Sequence, residues 1–355
     1  MGYRLDFKRL IVTETGGIYV RSIPSADQVV VDSKIYKKPG FLNNWVFVQS
    51  LIPEDHSVLV TKDKYYDYTK TIPVEKKEVT KLEHILLIKK DIQFAISEGI
   101  ANSAGEFISP FVNQDKFLIK NSNLYYSTIT ENSKLTALQK STPIIKKLVA
   151  FSIQNNNILW LGSDGFMYKS NQSNPATNPE KITTTAIKIS KTGTYKIIND
   201  NKNIFLINNG NLMFLNEKTS KLDDFYSPVK DARIAQADEG SNIVYFNDNN
   251  IFISPIPTVE NPAIKRASLY KSNEKITGCV WLDNSNIIFT SGNKILISEI
   301  DYRGHINNVT LPQTITVSAD VKINLENPQI FFSQSEGKLY ILNNKILISS
   351  ERINQ

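Results

Sequence analysis

Residues that could perform catalysis are sparse in this chain of 355 residues. The three histidines, His56, His84 and His305, lie far apart in the sequence, and none stands in the paired spacing of a zinc site. The sequence contains no nucleophile-elbow motif, no P-loop and no dinucleotide-binding glycine motif. We therefore predict no catalytic residue, no metal ligand and no cofactor site.

Charge and cysteine content do not point to a special ligand. Residues 1–90 hold 15 Lys or Arg against 11 Asp or Glu, so most of the net charge of +6 lies there. Basic and aromatic residues are not clustered in a stripe, which argues against nucleic-acid binding. The single cysteine, Cys279, excludes an intramolecular disulfide, and its apolar neighbours predict a buried thiol.

Residue types that often dominate protein interfaces occur together late in the chain. We predict that Tyr302, Arg303 and His305, with Lys265 and Arg266 nearby, contact a partner, which we expect to be a protein or a cell-envelope glycan. Replacing Tyr302 and Arg303 together with alanine should then weaken binding at least tenfold, or about 1.4 kcal/mol.

The elements that must position these residues repeat along the chain. Six short apolar runs begin 41, 46, 39, 44 and 43 residues apart. Each is followed by a polar turn and a second apolar run, which is typical of a β-hairpin. A strand repeat of this length predicts a β-propeller, here with six blades and almost no helix. The runs are Phe117–Ile119, Ile158–Leu161, Ile204–Ile207, Ile243–Phe246, Ile287–Phe289 and Ile330–Phe332.

Three connections of the predicted propeller are enlarged, and all follow the third strand of a blade. They are residues 171–179, 255–262 and 301–305, and the first two contain prolines. The third-strand ends of all blades emerge on one face, so we expect a partner to bind there. The remaining possibility is that these loops are tolerated insertions.

The first ninety residues do not follow this period. Alternating patterns predict strands at 17–21, 28–32, 45–49, 57–61 and 69–74, which together predict a small antiparallel β-sandwich. The stretch from Gly16 to Asp32, with Pro24-Ser25-Ala26-Asp27, and the later stretch from Leu51 to Lys62, followed by Tyr65-Tyr66, resemble a PEGA domain over about residues 16–88. The part that follows resembles a WD40-like or TolB-like propeller.

The resemblance implies a non-catalytic surface domain outside the bacterial cytoplasmic membrane, as in membrane-anchored PEGA-domain proteins. It also implies an N-terminal anchor that these residues do not contain; a soluble protein is the alternative.

We thus expect an all-β protein with a PEGA-like sandwich at residues 1–90 and a six-bladed propeller at residues 91–355. It would be a monomeric interaction or scaffold module at the cell surface. Two alternatives stay open. One is a propeller enzyme acting on carbohydrate, a hydrolase or lyase, whose paired carboxylates would have to come from different blades. The other is the ectodomain of a sensor.

Overall fold

The computed structural model describes residues 2–6, 10–36, 44–97, 117–129, 135–137, 143–154, 156–175, 178–200, 202–235, 242–318 and 321–353. The regular secondary structure in these ranges consists of strands only. This confirms the prediction of an all-β protein with almost no helix. Within the same ranges, no helix is long and apolar enough to cross a membrane.

The chain forms two compact units. The first unit contains residues 1–97 and 280–355, and the second contains residues 98–279. The two units are defined by how densely their segments pack. The predicted boundary between a sandwich domain and a propeller domain near residue 90 stays a prediction.

The described residues of the N-terminal part of the first unit form nine strands in three sheets. A ribbon pairs β1 with β2, one sheet has the order β6-β3-β9, and another has the order β5-β4-β7-β8. The strands are β1 Tyr3–Asp6, β2 Ile11–Glu14, β3 Gly16–Ile23, β4 Gln28–Val31, β5 Lys34–Tyr36, β6 Trp45–Leu51, β7 Asp55–Thr61, β8 Tyr68–Pro73 and β9 Val79–Leu86.

Alternating apolar residues explain these sheets, because every second side chain of a strand faces the same side. Ile18 of β3, Val58 of β7 and Ile72 of β8 are fully buried in one core that both larger sheets share. The five strands predicted here all form. The prediction of a purely antiparallel arrangement is wrong, because β9 pairs with β3 in parallel. The chain reaches β9 from β8 of the other sheet, and this crossover brings it back in the direction of β3.

The rest of the first unit contains β10 and the C-terminal strands. One sheet includes β28, β29 and β30, another has the order β10-β35-β34-β33, and β31 pairs with β32. The strands are β10 Phe94–Ile96, β28 Asn286–Ser291, β29 Lys294–Glu299, β30 Asn308–Thr310, β31 Thr314–Ser318, β32 Val321–Asn324, β33 Gln329–Ser333, β34 Lys338–Asn343 and β35 Ile346–Arg352.

The strand order of the C-terminal sheet differs from the order that the repeat predicts. Each apolar run is expected to be the second strand of its sheet. The runs at residues 158–161, 204–207 and 243–246 are second in their sheets, whereas the run at residues 330–332 lies in β33 at a sheet edge. The expectation that this run forms a second strand is therefore wrong. The physical reason is that β10 pairs with β35 and completes the sheet from the other edge, so the C-terminal residues supply only three of its strands.

The described residues of the second unit form four sheets. In three of these sheets the strands lie in chain order: β15 to β18, β19 to β22 and β23 to β26. In the fourth sheet, β12 pairs with β11, β13 and β14. The strands are β11 Phe117–Lys120, β12 Asn123–Ile129, β13 Leu135–Ala137, β14 Ile145–Lys146, β15 Leu148–Gln154, β16 Asn157–Gly162, β17 Met167–Asn171, β18 Glu180–Lys181, β19 Tyr195–Asn199, β20 Ile204–Asn208, β21 Asn211–Asn216, β22 Lys221–Tyr226, β23 Asp231–Ile234, β24 Asn242–Phe246, β25 Asn250–Pro255 and β26 Ala267–Lys271; the boundary between the units falls within β27 Ile276–Trp281.

The second strands of the three sheets that follow chain order are buried on consecutive residues. In β16 the residues from Ile158 to Gly162 are all buried, and in β24 those from Ile243 to Phe246 are. Burial on both faces requires neighbours on both sides of the sheet, as the run of apolar residues predicts. Apart from the β31–β32 hairpin, the described strands after residue 90 form six sheets, one for each repeat, and a closed six-bladed ring stays a prediction.

Candidate functional site

Three of the five residues predicted to contact a partner lie in the loop between β29 and β30. Tyr302 is 58% exposed. The Arg303 guanidinium pairs with Asp301, with Nη2 2.8 Å from Oδ2, and donates to the carbonyl of Lys81 at 2.9 Å. His305 Nε2 lies 3.1 Å from Thr69 Oγ1. Arg303 and His305 thus contact strands β9 and β8 of the same unit, and Tyr302 is the member that projects into solvent.

A buried lysine holds this loop. The Lys70 side chain is fully buried, and its Nζ lies 2.6 Å from Glu299 Oε1, 2.7 Å from the Asp301 carbonyl and 3.2 Å from the His305 carbonyl. These contacts use the three donors of the ammonium group. A buried charge is stable only when it is paired and hydrogen-bonded, so Lys70 fixes the position of the loop on β8.

Two further side chains complete this cluster. Tyr68 donates to Glu299 Oε2 at 2.9 Å, and burial followed by the charge of Glu299 raises the pKa of Tyr68, so its hydroxyl stays protonated. Burial alone would raise the pKa of Asp301, but hydrogen bonds from Arg303 and the charge of Lys70 outweigh it and lower that pKa. Asp301 is therefore ionised at neutral pH.

The other two predicted residues lie in the second unit. Lys265 and Arg266 are both exposed and come just before β26. The Arg266 guanidinium carbon lies 4.4 Å from the ring centre of Tyr226 and 5.2 Å from that of Phe252, which is cation–π geometry. Since these two residues and the loop around Tyr302 belong to different compact units, a combined patch stays a prediction.

The second unit also contains a groove of about 450 Å³. Three segments line it: the β19–β20 connection with the start of β20, the end of β21 with its following turn, and the long loop between β25 and β26. We call it the proline-loop groove. Its lining residues are Lys202, Asn203, Ile204, Phe205, Phe214, Leu215, Asn216, Glu217, Lys218, Ile256, Pro257, Thr258, Val259, Glu260 and Pro262.

The floor of the groove is apolar and well supported. Phe205 and Ile256 are buried, and Phe214 is half-buried. Phe225 packs edge-on against both Phe205 and Phe214, with ring centres 5.5 and 6.1 Å apart. Such edge-to-face pairs hold aromatic rings in fixed positions. Val259, by contrast, is 68% exposed on the rim, so the groove combines a rigid apolar floor with an accessible apolar edge.

The two asparagine side chains that line the groove are already hydrogen-bonded within the chain. Asn216 donates to Asp223 Oδ2 at 2.8 Å and accepts from the amides of Lys218 and Thr219. Asn203 donates to both carboxylate oxygens of Asp200. These bonds shape the two turns and leave the apolar surface as the main feature that a ligand meets.

The proline loop is shaped by its own turn. The amide of Thr258 donates to the carbonyl of Asn261, and the amide of Asn261 donates to Thr258 Oγ1, both at 3.1 Å. Pro257 and Pro262 restrict the backbone on either side. The charged residues of the rim comprise two lysines and two glutamates, Lys202, Lys218, Glu217 and Glu260, so they give the groove no net charge.

His56 and Cys279 have surroundings that suit structural roles. The part of the chain that the structure describes contains no group of three His, Cys, Asp or Glu residues that could hold a metal ion. His56 is buried, and its ring nitrogens contact Asp32 and the carbonyl of Ile52. Burial raises the pKa of Cys279 to about 12, so this thiol is not a thiolate nucleophile at neutral pH.

Sequence reasoning found one wall of the groove and missed the rest. The loop at residues 255–262 stands out by its length and prolines, but nothing in the sequence shows that Phe214 and Lys218 lie opposite it. Lys70 was also missed, although a signal exists. It occupies an inward position of the alternating strand β8, between buried Tyr68 and Ile72.

Comparisons with known proteins give only distant likenesses. No family model matches the chain, and no curated protein matches it. An auxiliary nutrient binding protein from Bacteroides thetaiotaomicron is 10% identical, with 91% of this chain and 90% of that chain covered and a TM-score of 0.39. The extracellular domain of a putative hybrid two component system from the same organism is 13% identical, with 96% of this chain and 40% of that chain covered and a TM-score of 0.43.

A third solved structure is the WD40 domain of Toxoplasma gondii coronin. It is 8% identical, with 84% of this chain and 79% of that chain covered and a TM-score of 0.41. Likenesses with TM-scores below 0.5 establish neither the fold nor the function of this chain.

Proposed function

We propose that this protein is a non-catalytic interaction module that binds an apolar segment of a partner protein in the proline-loop groove. The observation that carries the proposal is the groove itself, about 450 Å³ in volume with an apolar floor. Sites that bind ligands specifically are commonly concave, mainly apolar and of a few hundred Å³ or more. The aromatic floor is held by Phe225, so the pocket exists before a ligand arrives.

A peptide suits this groove better than a glycan does. Sugars need many hydrogen-bonding groups around the ring, and the side chains of Asn203 and Asn216 are already bonded to Asp200 and Asp223. An apolar side chain instead needs only the apolar surface that Ile204, Phe214 and Val259 leave accessible. The backbone of the bound segment could then lie along the rim of mixed charge.

The wider setting is part of the same proposal. The protein would be a six-bladed propeller preceded by a PEGA-like sandwich, acting outside the bacterial cytoplasmic membrane. Six sheets after residue 90 and one apolar core shared by two N-terminal sheets support this architecture. An experimental structure with five or seven blades would contradict it, and protection of the protein from protease added to intact source cells would contradict the location.

The binding proposal is tested with two libraries and one matched pair of variants. Wild-type protein is used to select from a displayed random-peptide library and is screened on a glycan array. Val259→Asp places a charge on the exposed rim of the groove, and Val321→Asp places one at a 40% exposed position in the other unit. We expect selected peptides to share an apolar residue and to lose binding to Val259→Asp only. Glycan binding that neither variant changes would contradict the proposal.

A further inference from the structure

A lysine, a glutamate and an asparagine form a cluster in the first unit that could react. The Lys70 side chain is fully buried, and that of Glu299 is only 10% exposed. Lys70 Nζ lies 2.6 Å from Glu299 Oε1, and Asn307 Nδ2 lies 2.8 Å from the same oxygen. One carboxylate oxygen thus contacts both an amine and the amide nitrogen of a neighbouring side chain.

The orientation of the Asn307 amide is fixed by its partners. Its Oδ1 accepts a hydrogen bond from the backbone amide of Thr69 at 3.2 Å, while its Nδ2 faces the carboxylate of Glu299. Only an oxygen can accept from the Thr69 amide, so the two ends of the side-chain amide are assigned by this network. The amide of Thr69 therefore points at the atom that would become negative if a nucleophile attacked Asn307 Cγ.

We propose that Lys70 and Asn307 condense to form an isopeptide bond, with Glu299 transferring the proton. Lys70 gives a proton to Glu299, and its free amine attacks Cγ of Asn307. The bond from Nζ to Cγ forms, the proton held by Glu299 passes to Nδ2, and the bond from Cγ to Nδ2 breaks. Ammonia leaves and takes up the remaining proton as ammonium. No oxidant or reductant takes part.

The geometry supplies what this reaction needs. Glu299 is within hydrogen-bond distance of both the attacking and the leaving nitrogen, as a proton-transfer group must be. Holding the buried amine and the half-buried amide against one carboxylate oxygen replaces an encounter in solution, which accounts for large rate gains in intramolecular reactions. The competing carboxylate of Asp301 lies 3.8 Å from Nζ and is paired with Arg303. An ionised carboxylate is a poor electrophile, so Asn307 is the preferred acceptor.

The bond would connect strand β8 to the residue just before β30. Residues 70 and 307 are far apart in the sequence, so the cross-link would close a long loop in the unfolded chain. A disulfide that closes a long loop stabilises a protein mainly by restricting its unfolded state, and an isopeptide bond acts in the same way. With Cys279 as its only cysteine, this chain has no intramolecular disulfide to do so.

The test is the intact mass of the full-length folded protein after incubation at neutral pH. We expect wild-type protein to lie about 17 Da below its sequence mass, the loss of one ammonia. A protease digest should contain one cross-linked species that joins the peptides of Lys70 and Asn307. Lys70→Arg, Glu299→Gln and Asn307→Ala should each keep their full sequence mass.

The decisive control uses wild-type protein, so it does not depend on whether a variant folds. After unfolding, an amine-acylating reagent should label the other lysines and leave Lys70 unlabelled. A wild-type mass equal to the sequence mass, with Lys70 labelled after unfolding, would overturn the proposal. A loss of about 17 Da without the cross-linked peptide would also overturn it, because cyclisation elsewhere in the chain then explains the mass.

Discussion

Two long loops of this protein, both predicted from the sequence to face a partner, serve different purposes in the structure. The loop between β29 and β30, residues 300–307, is held on β8 by buried Lys70. The loop between β25 and β26, residues 256–266, exposes Val259 and lines the proline-loop groove. Loop length therefore does not distinguish a loop that is held against neighbouring strands from one that lines a groove. The first loop is hydrogen-bonded to strands β8 and β9, whereas hydrogen bonds of the second loop join its own residues Thr258 and Asn261.

The largest expected effect is on the loop that Lys70 holds. Relative to protein in which Lys70 is not cross-linked, Lys70→Met leaves Glu299 buried without its cation. Removing one partner of a buried ion pair lowers the free energy of unfolding by about 3–5 kcal/mol. Urea unfolding followed by intrinsic fluorescence measures the change. The double variant Lys70→Met with Glu299→Leu should recover part of the loss, since an apolar pair needs no counter-charge.

The matched control for this prediction is Lys77→Met. Lys77 pairs with Glu14 at 2.7 Å but is 68% exposed, and exposed pairs contribute little to stability. We expect its urea midpoint to equal that of wild-type protein. Equal midpoints for Lys70→Met and Lys77→Met would show that the Lys70 cluster does not hold the loop.

A tenfold effect on peptide affinity is expected from a change in the loop at residues 256–266. Val259→Asp should weaken a selected peptide at least tenfold, about 1.4 kcal/mol, because a charge on the apolar rim must lose water when the peptide binds. Isothermal titration measures the affinity, and the unfolding midpoint should not change, since Val259 is mostly exposed. A lower midpoint together with weaker binding would mean that the substitution acts through the fold.

A smaller effect is expected from pH. Because the pKa of Asp301 is lowered in the folded state, its contribution to stability is complete above its unfolded pKa of about 4 and is lost as pH falls through the folded pKa. As pH is lowered from about 5 to about 2, the free energy of unfolding of Asp301→Asn should therefore fall less than that of wild-type protein. Glu260→Gln, at an exposed carboxylate of the groove rim, is the control and should follow the wild-type curve. Parallel curves for all three proteins would contradict this role for Asp301.

The smallest effect is expected at Tyr302. Its side chain is 58% exposed and lies in the unit that does not contain the groove, so Tyr302→Ala should change neither peptide affinity nor the unfolding midpoint measurably. A tenfold loss of affinity in this variant would instead favour the partner-facing patch predicted from the sequence.

The sequence was sufficient to predict the strands of the repeats because their pattern is local. Runs such as Ile243–Phe246 lie between polar turns, and each run is a strand in the structure. The sequence alone left open whether residues 345–349 end the C-terminal sheet or residues 92–96 complete it, because pairing between Phe94 and Ser350 is not encoded in either segment alone; the structure shows the second alternative. The parallel pairing of β9 with β3 was missed for the same reason.

The candidate site was predictable only in part. Residues 255–262 are recognisable as an enlarged loop, but the opposite wall, with Phe214, comes from another sheet. Arg303 and His305 were predicted to face a partner, and their contacts with Lys81 and Thr69 arise from strands more than 200 residues away in the sequence. Side-chain type indicates what a residue can bind, and the fold determines what it meets.

The most direct test of the contrast between the two loops is photo-crosslinking of a selected peptide. A photoreactive amino acid is introduced at position 259 in one protein and at position 302 in another, and each is irradiated with the same labelled peptide. We predict capture from position 259, suppressed by excess unlabelled peptide, and none from position 302. Capture from position 302 alone would contradict the assignment of the proline-loop groove as the binding site.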